Sequence, residues 1–281
     1  MSISRAGINQ AIYHLDKTSR DMDTVNRRLN TGGKIHSAKD DPAEWSKLQM
    51  VKAANAGVRN VNDTLTLVAG NILAADRAME MIGRYIGMMK ADLEAVIKNY
   101  PPYPMGDPER AKYLRSFIAL RDEIDRITIP PRDPGAKKIM SDPSIDPGAG
   151  DWDVIINSEA ARAVIHSRQV HTGPAGLDIP ALSETSTDAE ITAAIDRLDH
   201  AMAILYSRRA GLGADFAGVK RGRDFNDKMG VFFRKEAERI EAVDMNEAAA
   251  LAKSIEVRHA IQVESLKGLS DSQAMFLELL G

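Results

Sequence analysis

The chain has 281 residues, 44% hydrophobic and 27% charged, a composition that excludes a disordered, collagen-like or multi-span membrane protein. Lys and Arg number 37 against 40 Asp and Glu, a net charge of −3 without the basic surplus of a nucleic-acid binder. Cysteine is absent, which removes disulfides, thiolate metal sites and cysteine nucleophiles. No apolar run approaches the ~18 residues a membrane-spanning helix needs. Met1 to Asp23 carries scattered charge and no apolar signal core. Export is therefore expected only by a route that reads no cleaved secretory signal.

Proline maps where long helices can form, because it costs ~3 kcal/mol inside one. Eleven of the 12 prolines lie between Pro101 and Pro180, and the other is Pro42. The open windows are 1–41, 43–100 and 181–281. In the first, Ile8, Leu15, Met22 and Leu29 form a stripe flanked by Ile12 and Val25, and Thr31-Gly32-Gly33 reads as a helix stop.

The second window holds the clearest pattern. Val51, Val58, Leu65, Ile72, Met79, Ile86 and Leu93 recur every seven residues, as do Ala54, Val61, Val68, Ala75, Ile82, Met89 and Val96. Both series fall on one helix face, and a sustained period of seven implies supercoiling against a partner helix. Val51 to Val96 would span roughly 70 Å, which suits a rod. A stiff turn through Pro101-Pro102-Tyr103-Pro104 leads to a shorter helix from Pro108 to about Ile127, lined by Phe117, Leu120, Ile124 and Ile127. These two helices are expected to form an antiparallel hairpin.

Segment 130–182 is punctuated by Pro130-Pro131, Pro134-Gly135, Pro147-Gly148 and Gly173-Pro174. Within it, 153–156 and 163–166 read as short strands of a β-hairpin. In the last window Thr187 and Glu190 form a capping box. A heptad series follows through Ile191, Leu198, Leu205, Leu212, Val219, Asn226, Phe233 and Ile240. Asn226 is the polar member: either a buried amide that sets register, or a position where the helix rotates it into solvent. The tail keeps a stripe of Leu251, Ile255, Leu266, Leu269, Phe276 and Leu280, broken by Arg258, Gln262 and Gln273.

Long helices at both ends and a turning middle imply a mainly α fold: an elongated antiparallel bundle, or coiled coil, of N- and C-terminal arms with a small β-hairpin and loop tip. A lone pair of terminal helices would leave much apolar surface uncovered, and such stripes mark association sites. Ile8, Ile12, Leu15, Met22, Leu29, Leu251, Ile255, Leu266, Leu269, Phe276 and Leu280 are the expected polymerisation interface.

Four stretches resemble bacterial flagellins. Arg28-Leu29-Asn30-Thr31-Gly32 through Ser37-Ala38-Lys39-Asp40-Asp41-Pro42-Ala43 resembles the family's Arg-Leu-x-Thr-Gly turn and following Ser-Ala-Lys-Asp-Asp. Leu212-Gly213-Ala214, Arg239-Ile240 through Asp244 and Glu247, and the closing Phe276 to Leu280 are similar to elements of the family's returning arm. The resemblance covers roughly 1–129 and 187–281. It implies a filament subunit serving motility, in the extracellular bacterial flagellum. Residues 1–42 and 243–281 would form an inner coiled-coil tube, and 43–242 a rod-like shell including 130–186, with no large outer domain. It also implies self-association into a helical homopolymer, passage through the flagellar type III export apparatus with an export chaperone, and contact with hook-associated and cap proteins. The hook–filament junction protein shares the terminal plan and is the alternative.

No residue set points to an enzyme. Asp40-Asp41 could be a carboxylate pair, but a carboxylate ahead of Pro42 is better read as a helix cap, with Thr31 and Gly32 making the preceding turn. The six histidines have no metal-ligand spacing, so no metal or cofactor is expected. Gly32-Gly33-Lys34 lacks the rest of a phosphate loop. Gly211 and Gly213 suggest close helix packing or a local bend, and Arg208-Arg209 and Lys220-Arg221-x-Arg223 solvated faces or pairs with acids on neighbouring subunits. The 13 methionines are expected largely in the heptad seams.

Overall fold

The computed structural model describes residues 2–99, 101–128 and 139–280. Pro130, Pro131, Pro134 and Gly135 lie outside the described residues. The elements are α1 (Ser2–Thr31), α2 (Pro42–Lys98), α3 (Pro108–Thr128), β1 (Trp152–Ile155), β2 (Arg162–Ile165), α4 (Asp188–Glu241) and α5 (Met245–Leu280). They fall into two compact units, Met1–Asn55 with Val231–Gly281, and Ala56–Gly230.

The Ala56–Gly230 unit is built on the heptad face. Val58, Leu65, Val68, Ile72, Ala75, Met79, Ile82, Ile86, Met89, Leu93 and Val96 are all buried. From Leu65 onward they meet Ile191, Leu198, Leu205, Leu212 and Val219 of α4, with Leu114, Phe117 and Ile124 of α3 closing the core. Polar pairs fix the antiparallel register of α2 and α4. Lys90 bonds Asp199 at 2.5 Å, Arg209 holds Asp76 through two bonds of 2.8 and 3.0 Å, and Asn62 donates to Asp227 at 2.6 Å. Arg209 therefore pairs within its own chain, and the reading of it as a solvated or intersubunit charge is corrected.

The capping box forms as read. Thr187 N–H and hydroxyl donate to the Glu190 carboxylate, and Glu190 N–H returns to the Thr187 hydroxyl. Arg110, only 1% exposed, ties the start of α3 to the Tyr103 and Ser186 carbonyls and to Asp188.

The strands pair antiparallel, with Trp152 opposite Ile165 and Ile155 opposite Arg162. Each lies one residue earlier than the apolar runs suggest. Just past β1, Ile156 N–H donates to the Ala161 carbonyl at 2.8 Å and its own carbonyl accepts the Asn226 side chain at 2.9 Å. Asn226 is thus buried, at 1% exposure, and serves the hairpin flank. The segment from Ile139 to Ile179 lies along α4, and Val154, Ile165, Val170, Leu177 and Ile179 join the same core. Asp125 on α3 anchors it by accepting the Thr172 N–H and hydroxyl at 2.8 and 2.7 Å.

The methionine expectation needs correction too. Met79 and Met89 are fully buried, but Met50, Met81, Met88, Met105, Met245 and Met275 are exposed. Met81 and Met88 sit two residues after seam positions, on the outer face of α2.

In the other unit α1 packs against α5. Its buried apolar residues are few: Val25, Ile35, Leu48, Ala248 and Ile255 among the described side chains.

Candidate assembly surface

The local chemistry of the terminal unit begins at the end of α1. Gly32 adopts φ 70°, left-handed backbone that glycine tolerates at no steric cost, and its N–H closes the helix on the Arg28 carbonyl at 2.8 Å. The next residues form a small clasp. Lys34 N–H donates to the Glu241 carbonyl at 2.7 Å, and Val243 N–H donates to the Gly32 carbonyl at 3.0 Å. Gly33 and Ala242 thereby make an isolated antiparallel bridge. The clasp joins the end of α1 to the start of α5, so the two helices leave it side by side and antiparallel.

The two acids of Asp40-Asp41 divide the work. Asp41 Oδ1 accepts the Ala43 and Glu44 N–H groups at 3.0 Å each, which caps α2. Asp40 instead ties the loop. Its carboxylate accepts the His36 and Ser37 N–H groups at 2.9 Å each and the Ser37 hydroxyl at 3.2 Å, and pairs with Arg27 at 2.6 Å. The His36 N–H, then the Ser37 groups and the Arg27 charge, hold its pKa below the ordinary carboxylate value against a smaller opposing effect of burial. Thr31 donates to the Arg27 carbonyl at 2.7 Å, so its oxygen is left to accept from His36 Nε2 at 2.8 Å.

One cap escaped the sequence reading. Asp244 Oδ1 accepts the Asn246 and Glu247 N–H groups at 2.9 and 3.1 Å and starts α5. An acid directly before a helical run was the available signal.

The expected interface residues separate into three kinds. Ile255 is 5% exposed and belongs to the α1–α5 packing. Ile8, Leu15, Met22, Leu29 and Leu266 are half-buried. Ile12, Leu251 and Leu269 face outward, at 44%, 43% and 45% exposure. The side chains of Phe276 and Leu280 lie outside the described residues. Sequence reasoning missed a second apolar face. Val257, Ile261 and Met275 are 52%, 61% and 64% exposed. Val257 and Met275 are five helical turns apart and so share one side of α5, well round from Ile255. The chosen stripe through Ile255 and Leu266 drew attention away from it.

No three His, Cys, Asp or Glu side chains are grouped to hold a metal among the described residues. No described helix is long and apolar enough to cross a membrane. What the α1–α5 pair offers chemically is apolar helix surface on two sides of α5.

Comparison with known proteins follows that geometry. Residues 6–129 match the bacterial flagellin N-terminal helical region. Flagellin FljK of Caulobacter vibrioides is 23% identical over 277 residues, 98% of this chain and 97% of that protein. Flagellin FljM of the same organism matches at the same identity and coverage. Among solved structures, a protein described as flagellar hook-associated from Vibrio parahaemolyticus aligns with TM-score 0.58 and 13% identity, over 72% of this chain and all of that one. The last likeness concerns the fold alone.

Proposed function

We infer that this chain, which belongs to the bacterial flagellin family, is a structural subunit that polymerises into the flagellar filament and serves motility. The observation that carries this reading is the α1–α5 pair, whose helices pack together yet leave Ile12, Leu251, Val257, Ile261, Leu269 and Met275 open to solvent. Burying one large apolar side chain is worth about 1.5–3 kcal/mol, so several such contacts per subunit drive stacking.

In this reading residues 1–42 and 243–281 line an inner tube, and 43–242 forms the surrounding shell. Ile8, Ile12, Leu15, Met22, Leu29, Leu251, Leu266, Leu269, Phe276 and Leu280 belong to the contacts between copies, while Ile255 supports them from within the pair. The chain leaves the cell through the flagellar type III export apparatus, held by an export chaperone. It then meets the cap and hook-associated proteins. A polymer role asks for no catalytic centre, and the acids nearest the arms serve as caps and loop ties.

The fold is shared with a hook-associated protein, so the test separates growth from capping. Purified full-length chain is added to short filament seeds and followed by pelleting and electron microscopy. Continued elongation with added protein supports the filament subunit. Saturation after one layer, with no lengthening, supports a junction protein and overturns the reading.

A further inference from the structure

A cavity of about 580 Å³ opens beside α4 in the Ala56–Gly230 unit, with Asp151, Ser167, Arg168, Gln169 and Arg208 on its walls. Its two arginines are in different states. Arg168 is 15% exposed and paired with Asp215 at 2.6 Å. Its guanidinium lies against Gly211, where a Cβ would stand 2.8 Å from Cζ, so a side chain there would displace it. Its charge is matched and its position set.

Arg208 stands one turn earlier on α4 and has no such match among the described residues. One nitrogen, Nη2, donates to the Ala175 carbonyl at 3.2 Å. The other, Nη1, is buried and has no hydrogen-bond partner among the described residues. Burial lowers the Arg208 pKa from its ordinary value. Its neighbour Arg209 uses Asp76, so the pair of arginines is not one solvated face. The Ser167 hydroxyl on the same wall is also buried without a partner among the described residues. A guanidinium nitrogen buried without a partner is costly, and a carboxylate opposite a guanidinium makes a strong, charge-assisted contact.

We propose that this cavity is a binding site for a carboxylate, with Arg208 as the anion anchor and Ser167 as a second donor. Asp151 accepts the Ser167 N–H at 2.8 Å and faces His166 Nδ1 at 3.4 Å, which holds the backbone that carries Ser167. The volume leaves room for more than acetate. The carboxylate comes either from a free sugar acid or from a Glu or Asp side chain of a second copy. The site uses residues of the Ala56–Gly230 unit alone and does not depend on the assembly reading.

The test is calorimetric titration of full-length unassembled chain with gluconate, at constant ionic strength, with glucose as the neutral comparison. Saturable gluconate binding and no glucose binding are expected. Arg208→Gln should weaken gluconate by about tenfold or more, the equivalent of ~1.4 kcal/mol. Arg208→Lys should retain part of the affinity, and Arg84→Gln, an exposed arginine on α2, all of it. Ala175→Phe fills the cavity without changing charge and should abolish binding, with helicity by circular dichroism unchanged. Gluconate binding by Arg208→Gln within about twofold of the parent, or equal binding of gluconate and glucose, overturns the proposal. Repeating the titration on assembled protein separates the sources. Undiminished binding identifies a free ligand. Binding lost on assembly, with Arg208→Gln requiring more protein to assemble, identifies an acid from another copy.

Discussion

The terminal unit and the Ala56–Gly230 unit are made of the same material, long amphipathic helices, and differ in how much of the apolar face is covered. In the second unit the heptad seam of α2 is closed by α3, α4 and the 139–179 segment, and Leu65, Met79, Ile82, Phe117 and Leu198 reach zero exposure. In the terminal unit one helix meets one helix. A two-helix pair cannot enclose both sides of either member, and Ile261 stays 61% exposed. The Ala56–Gly230 unit encloses its own core within a single chain; the terminal unit leaves apolar surface that further copies would cover in the proposed filament. Burial, not helix propensity, separates a self-sufficient fold from an assembly element here.

The difference is broken most severely in the covered core. Phe117→Ala removes a fully buried ring where α3 closes on α2 and α4. It should lower the stability of the Ala56–Gly230 unit by about 3–5 kcal/mol, read from denaturant unfolding. Ile261→Ser probes the opposite side. It should leave unfolding of the single chain nearly unchanged and raise the protein concentration needed for pelleting, in proportion to a lost contact of about 1.5–3 kcal/mol.

The clasp between α1 and α5 gives the next effect. Asp40→Ala leaves the His36 and Ser37 N–H groups without their acceptor and should cost about 1–3 kcal/mol locally, seen as faster amide exchange at 32–37. The pH response follows from the lowered pKa of Asp40. Its contribution is present above the ordinary carboxylate value of about 3.9 and is lost as pH falls through the lower folded value. Exchange protection of the parent clasp should fall in that acid range, and the Asp40→Asn variant should lack this component. The smallest effect belongs to an exposed pair. Arg84→Gln removes an i,i+4 contact with Glu80 and should change melting by less than about 0.5 kcal/mol.

The heptad series was legible because each seam position carries one unambiguous requirement, apolar character at a fixed spacing. The capping box at Thr187 and the stop at Gly32 were legible because their hydrogen bonds are local. What the sequence hid depends on distant partners. Asn226 serves a carbonyl 70 residues away, and Arg209 an acid 133 residues away, so neither role has a local signal. The 139–179 segment has no period, yet Val170 and Leu177 enter the core because α3 and α4 leave a face to cover. At the assembly surface the stripe through Ile255 was found, although Ile255 proved to be internal to the pair. The outward Val257, Ile261 and Met275 were missed because a helix with two apolar faces gives a weak amphipathic pattern.

The most direct measurement compares the intact chain with fragment 56–230 by sedimentation and circular dichroism at matched concentrations. The expected result is a fragment that is helical, melts cooperatively and stays monomeric at concentrations where the intact chain forms fibres. A fragment that polymerises as well as the intact chain, or an intact chain that remains monomeric under every condition that grows seeded filaments, would contradict the assignment of assembly to the terminal helices.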